Sequence, residues 1–242
     1  FSPFDPSEVN FNYTEANAWQ YSLFVPQDIQ GHIKLMGGKE QYESHLDQMF
    51  SSSTAISGRE QVDITGLIGQ YAHGNEPSHH MAYLYNYVGV PHKTQKIVRK
   101  ILDEQYTHFP DGLSGNEDCG QMSAWYVLSS MGFYSVTPGL DYYTIGTPLF
   151  EKATLNLENG NAFTILANNV SDDNIYIQSA TLNGKIFEHS FIKHTDIIKG
   201  GHLIFEMGSA ASNWASKSVP LSSITKNEIV AVPYFEAESQ TF

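Results

Sequence analysis

The hydrophobic pattern of this chain changes period once, near residue 135, and that change limits the folds open to it. Before it, apolar residues recur at helical spacing between loops bearing glycine and proline. The spacing predicts helices over 15–24, 39–50, 78–88, 92–106 and 121–131, with Ile97, Ile101 and Leu102 on the apolar face of the fourth. After it, short runs such as Tyr143-Thr144-Ile145, Phe163-Thr164-Ile165-Leu166, Ile175-Tyr176-Ile177 and His202-Leu203-Ile204-Phe205 alternate or stay apolar between Gly, Asn and Asp turns. Such runs read as antiparallel strands. The expected fold class is therefore mixed, α then β: residues 1–135 helical, and residues 136–242 an antiparallel β-rich segment with a loosely held tail after about Ser209. The Gly37-Gly38 pair reads as punctuation between helices, and Gly200-Gly201 as a hairpin turn.

Composition removes several functional classes. With 13 basic against 26 acidic side chains the chain carries a net charge of -13, which is wrong for a nucleic-acid partner. No apolar run has the length of a membrane span. The single cysteine, Cys119, excludes an internal disulfide and reads as a small buried hydrophobe sooner than as a nucleophile. Aromatic residues make up 13% of the chain, enough either to pack a core or to offer platforms for sugar rings. The start at Phe1-Ser2-Pro3 reads as the interior of a longer sequence.

Three segments concentrate polar chemistry at loop-to-helix junctions. Thr14-Glu15-Ala16-Asn17-Ala18-Trp19 sets Glu15 and Trp19 four residues apart, which on a helix places acid and indole on one face. A carboxyl against an aromatic wall is partly desolvated, as a general acid requires; the alternative is a first-turn Glu serving the helix dipole. His73-Gly74-Asn75-Glu76-Pro77-Ser78-His79-His80 packs three imidazoles beside a carboxylate and an amide. Adjacent histidines do not suit a zinc helix, whereas Glu76, Asn75 and backbone carbonyls are hard oxygen ligands suited to calcium. The plainer reading is a helix capped by Ser78 with buried histidines. Gly115-Asn116-Glu117-Asp118-Cys119-Gly120-Gln121 places two adjacent acids between glycines that would let the backbone approach a ligand, unless Asp118 is simply the cap of the next helix. Two carboxyls flanking a glycosidic bond are the requirement for acid/base glycoside hydrolysis.

Glu15-Ala16-Asn17-Ala18-Trp19-Gln20-Tyr21, Gly74-Asn75-Glu76-Pro77-Ser78-His79-His80 and Gly115 through Trp125 resemble, in order and context, the signature blocks of glycoside hydrolase family 92 over about residues 7–210. The resemblance implies a calcium-dependent, inverting exo-α-mannosidase acting on α-1,2-linked mannose of N-glycans or mannans, in a secreted or periplasmic enzyme. It implies an N-terminal β-sandwich and an (α/α)6 toroid followed by strands. Five candidate helices cannot close such a ring, so this chain corresponds to the C-terminal part, and the missing N-terminal part becomes an expected partner, on the same or another chain. By motif position Glu15 resembles the general acid and Asp118 the general base. Asn116 stands where many relatives carry a second Asp, and with Trp19, Glu76 and His79 it is assigned to the sugar subsite. Glu117 and Glu76 are assigned to calcium. A non-catalytic carbohydrate-binding or structural fragment is the competing expectation.

Overall fold

The structure, a computed structural model, describes residues 4–223. Its first half carries six helices: α1 (Ala18–Tyr21), α2 (Ile29–Leu35), α3 (Lys39–Ser51), α4 (Leu84–Val88), α5 (Pro91–Glu104) and α6 (Gln121–Ser130). Between them lie two small two-stranded sheets: β1 (Glu8–Val9) with β2 (Ser57–Gly58), and β3 (Leu67–Ile68) with β4 (Tyr71–Ala72). The second half forms β5 (Phe133–Tyr134), β6 (Tyr142–Ile145), β7 (Lys152–Asn156), β8 (Ala162–Asn168), β9 (Tyr176–Leu182), β10 (Lys185–Ile186), β11 (Phe191–Lys193), the short helix α7 (His194–Ile198) and β12 (Gly201–Gly208). Helices followed by sheets is thus the observed order.

Local chemistry explains the elements. Proline opens α5 at its first turn, where no amide is missed, and Val98, Ile101 and Leu102 point into the core while Lys96 and Lys100 face water. The chain leaves α2 and enters α3 through Gly37 and Gly38 at φ 96° and 112°, conformations that strain any residue with a Cβ. Helix α2 escapes the sequence pattern because only Ile29 and Ile33 on it are buried; Asp28 defines its start by accepting the Gly31 amide at 2.9 Å. The helix expected over 78–88 breaks into 3₁₀ turns at Glu76–Ser78 and Met81–Tyr83 before α4. Residues 78–88 are buried on every side, so no periodic face specifies one continuous helix.

Strands pair in the order β10-β9-β12-β8-β7 in the large sheet and β11-β6-β5 in the small one. The expectation of antiparallel pairing fails at one place: β12 runs parallel to β8, Leu203 opposite Ile165 and Phe205 opposite Ala167. A parallel neighbour needs a crossover, so Gly200-Gly201 is not a hairpin turn; it ends α7 and starts β12. The hairpin turn is Asn183-Gly184, between β9 and β10.

Among the described residues two large cores form, one around Tyr42, Tyr83, Tyr85, Val98 and Trp125, the other around Phe163, Ile165, Leu203 and Phe205, beside a small third cluster of Val9, Ile64 and Ala72. Asn86, buried in α4, locks the two large ones together by donating to the carbonyls of Ile145 at 2.6 Å and Ser190 at 3.1 Å. Residues 209–223 are not a loose tail. Trp214 is buried and donates from its indole nitrogen to the Phe187 carbonyl at 2.9 Å, and Ser222 returns to bond the Pro26 carbonyl. Pro233-Tyr234-Phe235 and the rest of the tail lie outside the described residues.

Candidate active site

The carboxylates come together because three loops are stitched backbone to backbone. Gly74 and Gly115 lie against each other: a Cβ on Gly115 would sit 3.0 Å from the Gly74 carbonyl oxygen, and a Cβ on Gly74 would sit 2.2 Å from the Ser114 carbonyl oxygen. Glycine here admits another loop, not a ligand as the sequence reading expected of Gly115. Thr65 ties both loops at once, its hydroxyl donating to Ser114 O at 2.7 Å while its carbonyl accepts the Gly74 amide at 3.1 Å. The third loop joins through buried Asn75, whose side chain donates to the Glu15 carbonyl at 2.8 Å.

Glu15 and Asp118 have each been released from the helix beside them. Asn17, not Glu15, caps α1, accepting the Trp19 amide at 3.0 Å while Gln20 returns a bond to the Asn17 amide at 2.8 Å. Glu15 therefore stands before the helix, in the left-handed region at φ 58°, and does not share a helical face with Trp19. Trp19 instead stacks on His45 at 5.2 Å. At α6 the same exchange occurs. Asp118 caps nothing with its side chain; Glu117 accepts the Ser123 amide at 3.0 Å and the Ser123 hydroxyl at 2.8 Å. Glu117, expected at calcium, is thus turned to the helix. Asp118 and Cys119 follow at φ 48° and 56°, so two of the three acid-bearing loops contain non-glycine residues in left-handed backbone. Such strain persists only where the surroundings impose it. Cys119 is exposed, contrary to the buried role expected of it.

The loops bring Glu76 under the influence of Asp118 and Glu15: partial burial first, then the proximity of the Asp118 carboxyl and the negative charges of Asp118 and Glu15, hold the Glu76 carboxyl above the ordinary carboxylate range. Among the described residues no Lys, Arg or His forms an ion pair with any of the three. Ser78 does not cap a helix; its buried hydroxyl has no partner.

The histidines are neutral scaffold. His73 Nε2 donates to the Tyr106 hydroxyl at 2.6 Å, since that hydroxyl is committed to Met122 O, and His73 Nδ1 then accepts from Tyr71 at 2.7 Å. Burial pushes its pKa down to about 2. His79 and His80 are pushed down to about 4, again by burial. His79 donates to His73 O at 2.9 Å and accepts from Gln121 at 3.1 Å, so neither ring nitrogen is free for a sugar hydroxyl, although the ring lines a cavity of about 160 Å³ with Glu76, Tyr134 and Pro138. Asn116 is exposed and reaches Asp63 at 3.5 Å. Thr65, Gln121 and Tyr134 were not singled out from sequence; a lone Thr or Tyr carries no spacing signal, and their roles are set by long-range contacts.

Calcium would need hard oxygen donors, and Glu76, which makes no ion pair among the described residues, has that chemistry. No group of three or more His, Cys, Asp or Glu among the described residues forms a complete metal cluster, so backbone oxygens, water or substrate hydroxyls would supply the remaining ligands. No helix among the described residues is long and apolar enough to cross a membrane.

Neighbouring carboxylates from separate loops are the groups that acid/base hydrolysis of a glycosidic bond requires. The sequence matches the glycosyl hydrolase family 92 catalytic domain over residues 1–209, and the chain belongs to that family. It is 40% identical to the family 92 α-mannosidase BT3965 of Bacteroides thetaiotaomicron, solved with mannoimidazole, with a TM-score of 0.86 over 92% of this chain and 30% of that one. It is 37% identical to the inverting mannosidase BT2199 of the same organism, with a TM-score of 0.79 over 92% of this chain and 32% of that one. An uncharacterized secreted glycosidase of Arthroderma benhamiae is 30% identical over 84% of this chain and 24% of its own length. The chain therefore spans about a third or less of these relatives.

Proposed function

We propose that the protein carrying this chain is an inverting, calcium-assisted exo-α-mannosidase that removes α-1,2-linked mannose from N-glycans or mannans outside the cytoplasm. One observation carries the chemistry: carboxyls from loops more than forty residues apart act on one another, Asp118 and Glu15 on Glu76, and none of the three forms an ion pair with a basic side chain among the described residues. The mannosidase names of two similar structures support the sugar, the word inverting in one of them supports the stereochemistry, and the secreted relative supports the location. The α-1,2 linkage and calcium rest on the resemblance of the three sequence blocks, and calcium also on the unpaired carboxylates.

In this mechanism Glu15 gives its proton to the departing glycosidic oxygen while Asp118 takes a proton from the water attacking the anomeric carbon from the opposite face. Glu76, held above the ordinary carboxylate range by burial and by the neighbouring Asp118, stands beside the base carboxylate in the same site. Calcium, when bound at Glu76, would supply positive charge beside the sugar hydroxyls.

Proton NMR of α-1,2-mannobiose hydrolysis tests this. β-Mannose should appear first, chelation should stop release, and added calcium should restore it. Glu15→Gln should abolish cleavage of mannobiose yet retain much of the rate on aryl mannosides whose leaving groups need no proton. First appearance of α-mannose, or equal losses on both substrates, would overturn the stereochemistry or the acid role. Binding of mannose without any turnover would favour a carbohydrate-binding fragment.

A further inference from the structure

Helix α6 begins without a capping side chain at its own N-cap, which is Gly120 at φ 92°. Its first turn is satisfied from further back than ordinary caps reach. A capping side chain normally accepts an amide two or three residues ahead, whereas Glu117 accepts that of Ser123, six residues ahead, with one oxygen, and the Ser123 hydroxyl with the other. The clasp throws Asp118, Cys119 and Gly120 out as a loop of three consecutive left-handed residues, at φ 48°, 56° and 92°. Two of the three bear a Cβ, so this loop persists only if both ends are held. Gly115 packed on Gly74 holds one end and the Glu117 clasp holds the other. The backbone amides of Gln121 and Met122 add bonds to Asp118 O at 3.1 Å and Glu117 O at 3.3 Å. From this loop the Asp118 charge acts on the Glu76 carboxyl.

We infer that Glu117 is a positioning residue of the reaction: by clasping Ser123 across the left-handed loop it sets the direction of the Asp118 carboxylate, and it does not ligate the metal. The inference rests on the reading of Asp118 as the base. A carboxylate at a helix N-terminus is also favoured by the exposed amides there, so the clasp is stable with no cation present.

The test compares Glu117→Ala, Glu117→Gln and Ser123→Ala in the protein carrying this chain. Glu117→Ala should lower kcat by about tenfold or more with little change in KM, because the substrate contacts remain while the base drifts. Glu117→Gln keeps an acceptor for the Ser123 amide and should recover most of that loss, with the calcium concentration for half-maximal activity unchanged. Ser123→Ala touches no metal ligand and should lower kcat in the same sense by a smaller factor. Hydrogen exchange should show the first turn of α6 opened by Glu117→Ala and kept closed by Glu117→Gln. Equal losses for Gln and Ala with a raised calcium requirement would overturn the inference in favour of a ligand. Faster exchange with unchanged kcat would reduce Glu117 to a structural cap. If the wild-type protein releases no mannose, the enzymatic reading fails separately, and unchanged exchange in Glu117→Ala would still refute the clasp.

Discussion

Gly74→Ala should separate the two halves of the site without touching any carboxylate. Gly74 does not have a positive φ, so alanine meets no backbone strain there and the whole effect is steric. The new Cβ would lie 1.9 Å from Thr65 Oγ1 and 2.2 Å from Ser114 O, where ordinary contact begins at 3.4 Å. Thr65 can rotate away, but the Ser114 carbonyl is main chain of the loop that carries Asp118, so that loop must retreat by about 1 Å. Overpacking of this kind costs about 1–3 kcal/mol, against which a stiffer unfolded chain returns about 0.4–1 kcal/mol. The net loss should lower the thermal midpoint by only about 2–6 °C in a chain of this size. The loss of turnover should be far larger, about 100-fold, because a 1 Å misplacement acts directly on the approach of base to water. Adding Thr65→Ala removes the nearer contact and leaves the main-chain one, so turnover should stay low in the double variant. Gly120→Ala is the contrast: nothing lies within 4 Å of its Cβ, and only its left-handed φ of 92° is penalised. Differential scanning calorimetry and mannobiose turnover on these variants decide the matter. Wild-type turnover with an unchanged midpoint in Gly74→Ala would show that the loops are not in main-chain contact.

Two further outcomes follow from the buried groups. His73, with its pKa near 2, and His79 and His80, near 4, stay neutral in the fold but protonate near 6.5 once unfolded. The unfolded chain therefore binds more protons between those values, so their contribution is complete above about pH 6.5 and is lost as pH falls. The loss approaches about 4 kcal/mol per pH unit between about pH 6 and 4, where all three groups differ between the states, and His80→Gln should cut that slope by about a third; denaturant midpoints that stay flat between pH 6.5 and 4.5 would contradict the buried neutral assignment. Trp214→Ala removes a buried indole and its bond to Phe187 O, which should cost about 3–5 kcal/mol and lower the thermal midpoint by about 10 °C. A shift below about 2 °C would restore the view of a loosely attached segment.

What the sequence made legible, and what it hid, divides along the range of the forces involved. The change from helical to alternating period near residue 135 is local, and α3, α5 and α6 appear close to where the spacing places them. The 78–88 segment was misjudged because complete burial erases the period, and α2 because two isoleucines and a side-chain cap leave almost none. The parallel β8–β12 pair is a matter of topology, which no local alternation encodes. The site shows the same division more sharply. Sequence could say that acids crowd two loop-to-helix junctions, but at each junction several residues were chemically able to cap. At α1 the choice lay between Glu15 and Asn17; at α6, among Glu117, Asp118 and Gly120. Only one group can take each orphan amide, so assigning the cap to Asn17 or to Glu117 also decides which neighbour is left unpaired and free to react. That decision is made by tertiary contacts: Asn75 holding the Glu15 backbone, and Gly74 against Gly115 fixing where Glu117 can reach. The glycines look like signals for ligand approach in the sequence because a bare backbone is what both uses require. Their actual use, bringing one acid loop against another, is what sets the Glu76 carboxyl beside the charge of Asp118.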